Sequence, residues 1–173
     1  MRFYTGVGSR QTPEPILAEM RRLGAWLRWM GYTLRSGGAE GADRAFAAYT
    51  APEAEIYLPW PGFHRCTPRL DRPSAEAYAL AATLHPAWES LTGGARALHA
   101  RNCHQVLGAK LDTPSEFLIC WTPDGCTSEA TRTKYTGGTA TAIVLADRYG
   151  IPVYNLKNPR ALEGLENRLA YPA

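Results

Sequence analysis

No stretch of this chain is apolar for the ~20 consecutive residues that a membrane-spanning helix requires, so no membrane segment is expected. Cysteine is sparse: Cys66, Cys103, Cys120 and Cys126 are the only four. No two of them are spaced C-x-x-C, which argues for reduced thiols rather than a disulfide or zinc framework. Of the four histidines, only His99 and His104 share a helical segment, at a spacing that suits metal ligation poorly. Neither a metal site nor a cofactor is expected. Net charge is only +3, which permits a polyanionic partner without demanding one. Two nucleotide signatures are also missing. No Gly-Lys-Ser/Thr triplet occurs, and Gly6-Val7-Gly8 is followed by Ser9-Arg10-Gln11 instead of completing G-x-G-x-x-G. The β-prone run begins at Arg2, so no targeting peptide is expected.

What remains is a chain of 173 residues with ordinary apolar content, suited to one domain (1–173) that folds without staples. Arg2 to Val7 reads as a strand. Thr12 is a candidate N-cap, with Pro13 opening a helix in which Ile16, Leu17, Met20, Leu23, Leu27 and Met30 recur at helical spacing until Gly31. Tyr32–Leu34 and Glu55–Leu58 read as strands, with an Ala-rich helix between them that ends near Tyr49. Phe63 to Pro73 reads as an irregular arginine-rich loop. Helices are expected over Ser74–Leu84 and Ala87–Leu111. Phe117 to Trp121 is an unbroken apolar run, as a strand buried on both faces requires. After a polar loop, a helix opens at Gly137 and closes at Gly150. Ile151–Asn155 reads as the last strand, with Pro152 marking an edge strand or a strand start. A last helix is expected from about Pro159 to Leu169. Alternation of strand and helix predicts an α/β class: a Rossmann-like three-layer α/β/α fold with a mainly parallel sheet.

Three glycine-rich stretches follow strands or open helices. They are Gly6-Val7-Gly8-Ser9-Arg10, Ser36-Gly37-Gly38-Ala39-Glu40-Gly41-Ala42-Asp43 and Gly137-Gly138-Thr139-Ala140-Thr141. Glycine allows close backbone approach, and a helix N-terminus offers unpaired N–H groups to an anion. In a parallel sheet all three meet at the carboxyl edge. Candidate ligand- or phosphate-binding residues are therefore Gly8, Ser9, Arg10, Ser36, Gly37, Gly38, Gly41, Asp43, Gly137, Gly138, Thr139 and Thr141. Arg101 and Asn102 join them, either as a phosphate grip and a sugar or backbone contact or as a solvated helical face. Trp60 and Trp121 at strand ends could stack on a base. Gly37 and Gly138 are both expected to give a ligand room.

In order and spacing, Gly8-Ser9-Arg10, Ser36 to Asp43, Arg101-Asn102 and Gly137 to Thr141 resemble the SLOG superfamily. That superfamily includes the DNA-processing DprA/Smf proteins and the LOG phosphoribohydrolases. The second stretch is similar to the DprA S-G-x-A-x-G-I-D loop, Arg101-Asn102 to its R-N-R segment, and the last to the LOG P-G-G-x-G-T loop. The resemblance implies a Rossmann-like fold that binds a nucleotide or nucleotide-derived molecule, working in a bacterial cytoplasm, or in host cytoplasm if phage-encoded, as a homodimer or higher homo-oligomer. Departures bear on activity. Ile143 stands where LOG enzymes carry their catalytic Glu, Cys103 follows Asn102, and Ala140 replaces a loop glycine. Binding without catalysis, in nucleotide-signal sensing or capture, is the expectation. The alternatives are DprA-like single-stranded DNA binding and LOG-type hydrolysis of a nucleoside monophosphate, for which Glu40 and Asp43 are the substitute acids.

Overall fold

The structure is a computed structural model and describes residues 1–65 and 67–170. Five strands form one sheet: β1 (Arg2–Gly6), β2 (Tyr32–Ser36), β3 (Glu55–Ile56), β4 (Phe117–Cys120) and β5 (Val153–Asn155). Every neighbouring pair is parallel, in the order β3-β2-β1-β4-β5. The chain steps outward from β1 through β2 to β3, then crosses back to place β4 on the other side of β1. That reversal makes a switch point between β1 and β4, where an open parallel sheet leaves a crevice beyond its carboxyl edge.

Side chains alternate across a strand, and β4 divides the core accordingly. Phe117 and Ile119 join one buried cluster with Tyr4 and Leu34, while Leu118 and Cys120 join the other. Helices α1 (Glu14–Trp29), α2 (Ala42–Ala47) and α6 (Ala161–Ala170) cover the first face. Helices α3 (Ala75–Leu84), α4 (Gly93–Leu107) and α5 (Ala140–Arg148) cover the second. The result is the expected three-layer, Rossmann-like α/β fold, with β5 at the sheet edge where Pro152 pointed. Among the described residues no helix is long and apolar enough to cross a membrane.

Three local expectations are corrected. Thr12 does not cap α1. Its hydroxyl donates to the Ser9 carbonyl at 2.6 Å, and Pro13 precedes the helix in extended conformation. The helix expected from Ala87 to Leu111 is shorter at both ends. Residues 88–90 make an isolated 3-10 turn. The Thr92 hydroxyl then accepts the Ala95 N–H and starts α4. Gly108, at φ +81°, ends it. The loop after β3 is also more ordered than expected. Residues 63–65 make a 3-10 turn, and Leu70 bridges Tyr57, with Arg69 N–H donating to Ile56 and Leu58 N–H to Leu70.

Candidate functional site

At the carboxyl edge a cavity of about 640 Å³ opens between the loop after β1, the cavity-facing side of α4 and the turn that leads into α5. Its volume lies within the range of small-molecule sites. Gly8, Ser9, Arg10 and Gln11 form one wall, and Lys134 to Thr139 form another. His99, Arg101, Asn102 and Gln105 of α4 contribute polar groups, while Val7, Ala95, Leu98, Pro123 and Ala142 supply apolar surface.

The polar face of α4 is buried. Arg101 and Asn102 are 6% and 8% exposed and Gln105 is sealed, which excludes the solvated-face reading. These side chains connect two of the glycine loops. The Gln105 amide oxygen accepts from the Gly37 N–H (2.7 Å) and from Arg101 Nη1 (3.1 Å). Its NH2 donates to Asn102 Oδ1 at 2.8 Å. Asn102 Nδ2 in turn donates to the Gly138 carbonyl at 2.8 Å. Arg101 Nη1 also donates to Asp43 Oδ2 at 3.1 Å, and that oxygen accepts the Ala39 N–H as well.

Gly37 therefore has an internal role. A Cβ there would lie 1.1 Å from Arg101 Nη1, so the space is filled by the guanidinium rather than kept for a ligand. Gly41, at φ +83°, turns the same loop against the backbone of Arg10. Gly138 is the opposite case, because a Cβ there would meet nothing within 4 Å. The open turn formed by Gly137 and Gly138 runs into α5, and the first N–H groups of a helical segment lack intrahelical acceptors.

Burial raises the Asp43 carboxyl above its ordinary value, while Arg101 and the Ala39 N–H pull it down. Burial likewise lowers Arg101, against the attraction of Asp43. The two are held together as a buried ion pair at 3.1 Å. The cavity's other cations are Arg10 and Lys134, both exposed. Among the described residues neither has a carboxylate partner. Lys134 Nζ lies 5.0 Å from the centre of the Tyr135 ring.

The polar loop between β4 and α5 is organised by Asp124, which accepts from the hydroxyls of Thr133 and Thr136 and from the Cys126 N–H. Partial burial pushes this carboxyl up, but the hydrogen bonds outweigh it and bring the group down to about 2. The loop thus presents Lys134 and Tyr135 from a fixed base. His99 is held neutral. Burial, then His85, then Arg101 depress it to about 4.

Of the residues singled out from sequence, Gly8, Ser9, Arg10, Asp43, Arg101, Asn102, Gly137, Gly138 and Thr139 border the cavity. Ser36 lies behind it, its hydroxyl donating to the Gly6 carbonyl at 2.6 Å. Gly37, Gly38 and Gly41 shape the second loop without lining the space. Thr141 is bonded to His99. Glu40 is exposed and pairs with Arg44. Trp121 is 7% exposed in the core, with its carbonyl accepting the Ser9 N–H. Trp60 is 41% exposed and outside the cavity lining, against Phe63. Sequence reasoning missed His99, Gln105, Lys134 and Tyr135. The i, i+3 and i+6 spacing of His99, Asn102 and Gln105 was the available signal for two of them.

No protein-family model matches the chain, and no curated protein matches it. Among solved structures it is similar to DNA processing protein A from Helicobacter pylori, described for its single-stranded DNA binding mode. The two share 12% identity over 96% of this chain and 81% of that one, with a TM-score of 0.42.

Proposed function

We propose that the cavity binds a nucleotide or nucleotide-derived phosphate ligand, and that it captures or senses the ligand without turning it over. The observation that carries this reading is the pair of cations, Arg10 and Lys134, without carboxylate partners at the mouth of a pocket whose interior charges are already paired. An anion entering there meets both cations and the open helical N-terminus at Gly137-Gly138, where a phosphate is favoured. The apolar wall formed by Ala95, Leu98 and Pro123 suits a base. The resemblance of the loops to those of the SLOG superfamily points the same way.

The absence of turnover rests on the available acids and bases. Asp43 is engaged by Arg101, Glu40 lies outside the cavity, and His99, at about 4, is a weak base. A histidine depressed to about 4 is poorly matched to general acid–base catalysis at neutral pH.

Thermal melting against AMP, ATP, cyclic AMP, ADP-ribose and a short single-stranded oligonucleotide tests the proposal. A ligand at a hundred times its Kd adds about 2.7 kcal/mol to the folded state, which raises Tm by about 5–10 °C for a chain of this size. The shift should fall in Arg10→Ala/Lys134→Ala, and no free base should accumulate. A panel without any shift refutes the reading.

A second reading, single-stranded DNA binding, has one observation in its favour. Trp60 lies 3.8 Å from the Cβ position of Gly94, next to Ala95 on the cavity wall. The neighbouring Arg65 is exposed and has no carboxylate partner among the described residues. An aromatic and a cation beside the cavity suit a stacked, charged strand. A melting shift with the oligonucleotide alone, lost steeply with salt, would establish it over the first.

A further inference from the structure

His99 lines the cavity with its hydrogen-bonding capacity half used among the described residues. Its Nδ1 meets Thr141 Oγ1 at 2.7 Å, and its ring packs against His85 with centroids 4.5 Å apart. Nε2 has no partner among the described residues. It is not a sealed atom either, since among the described residues the sealed and unpartnered side-chain polar atoms are the Tyr4 hydroxyl and Arg101 Nε. Nε2 is thus an unpartnered, unsealed ring nitrogen on a residue that lines the cavity. We infer that His99 is a specificity residue of this cavity, its Nε2 hydrogen-bonding an uncharged polar group of the ligand, a sugar hydroxyl or the edge of a base, and not the phosphate. The inference rests on the nucleotide-binding reading above.

The surroundings select the uncharged partner. The charged and titratable groups around the ring are Arg101 on α4, His85 just after α3 and, through its pair with Arg101, Asp43 on α2. Arg132 faces His85 from the loop before α5, and α5 itself offers the Thr141 hydroxyl. Burial opposes a proton on His99, and His85 and Arg101 oppose it further. A phosphate contact would draw a proton onto the ring against all three. The ligand's negative charge has a better place at Arg10 and Lys134, whereas a neutral imidazole, with one donor and one acceptor, matches a hydroxyl or a base edge.

Calorimetric titration with AMP and with ADP-ribose, at pH 7.5 and 5.5, tests the inference when paired with imidazole 15N NMR of the parent protein. ADP-ribose has no phosphate ionisation in that range, so its affinity reports the protein. His99→Ala should bind about tenfold more weakly, or about 1.4 kcal/mol. His99→Gln, which keeps a polar group at that reach, should stay within about threefold of the parent. ADP-ribose affinity should be equal at the two pH values, with His99 neutral in the bound protein. Undiminished binding by His99→Ala overturns the inference and leaves the nucleotide reading standing. Protonation of His99 on binding, with affinity rising toward pH 5.5, overturns it in favour of a phosphate contact. A parent that binds neither nucleotide overturns both. The NMR measurement needs no variant, so misfolding of His99→Ala would not block the test.

Discussion

Gly37 and Gly138 look alike in the sequence, each in a Gly-Gly pair, yet alanine should affect them in opposite ways. At Gly37 the added methyl would sit 1.1 Å from Arg101 Nη1, 2.3 Å from its Cζ and 2.4 Å from the Gln105 amide. The guanidinium cannot remain, and its departure removes the 3.1 Å contact with Asp43. Breaking a buried ion pair leaves an uncompensated charge and costs about 3–5 kcal/mol, a large share of the roughly 5–15 kcal/mol that holds a domain together. For a chain of this size that is a drop in Tm on the order of 10 °C. At Gly138 the methyl meets nothing within 4 Å, so stability should change by less than about 1 kcal/mol and should rise if it moves at all. Calorimetric melting of both variants, with urea titration as a second measure, decides the matter. A Gly37→Ala protein that melts within about 2 °C of the parent would refute the packing argument. So would equal losses in the two variants.

Tyr4 is fully buried and its hydroxyl has no partner, so Tyr4→Phe should stabilise the fold by about 1 kcal/mol, seen as a higher urea midpoint at unchanged slope. Asp124→Ala removes the acceptor for Thr133, Thr136 and Cys126. It should speed amide exchange between residues 125 and 136 and cost about 1–3 kcal/mol. In the parent, that clamp's contribution is present above the ordinary carboxylate pKa and is lost as pH falls through about 2. His104 accepts the Ser74 N–H at Nε2 (3.1 Å) and meets the Gly108 carbonyl at Nδ1 (3.0 Å). Burial lowers it, and lowers His99 to about 4. A depressed histidine contributes stability that is full above about pH 6.5 and is lost as pH falls through its folded value. Tm should therefore decline from pH 7 to pH 5. A flat profile, or one that rises on acidification, contradicts this.

The fold was legible because its signals are local. The apolar run at Phe117, the C-terminal glycine Gly31 and Pro152 at the edge each carry their meaning within a few residues. The site was legible only as a set of loops. That Arg101 and Gln105 turn inward depends on α4 packing across β1 and β2, and a polar helical period alone does not tell a buried face from a solvated one. For the same reason Gly37 read as ligand space when Arg101 fills it. Thr12 turns its hydroxyl back to the Ser9 carbonyl, a partner that its place before Pro13 does not reveal. The start of α4 was misplaced because Thr92 is an ordinary cap hidden behind two glycines, residues that usually weaken a helix.

The chain of contacts from Gly37 through Gln105 and Asn102 to Gly138 makes one backbone proton a remote witness. The Gly37 amide does not line the cavity, yet its acceptor is oriented by a partner that also holds the α5 turn. Its chemical shift should consequently move when the far loop is occupied. A single glycine resonance could then follow events at a surface it never touches.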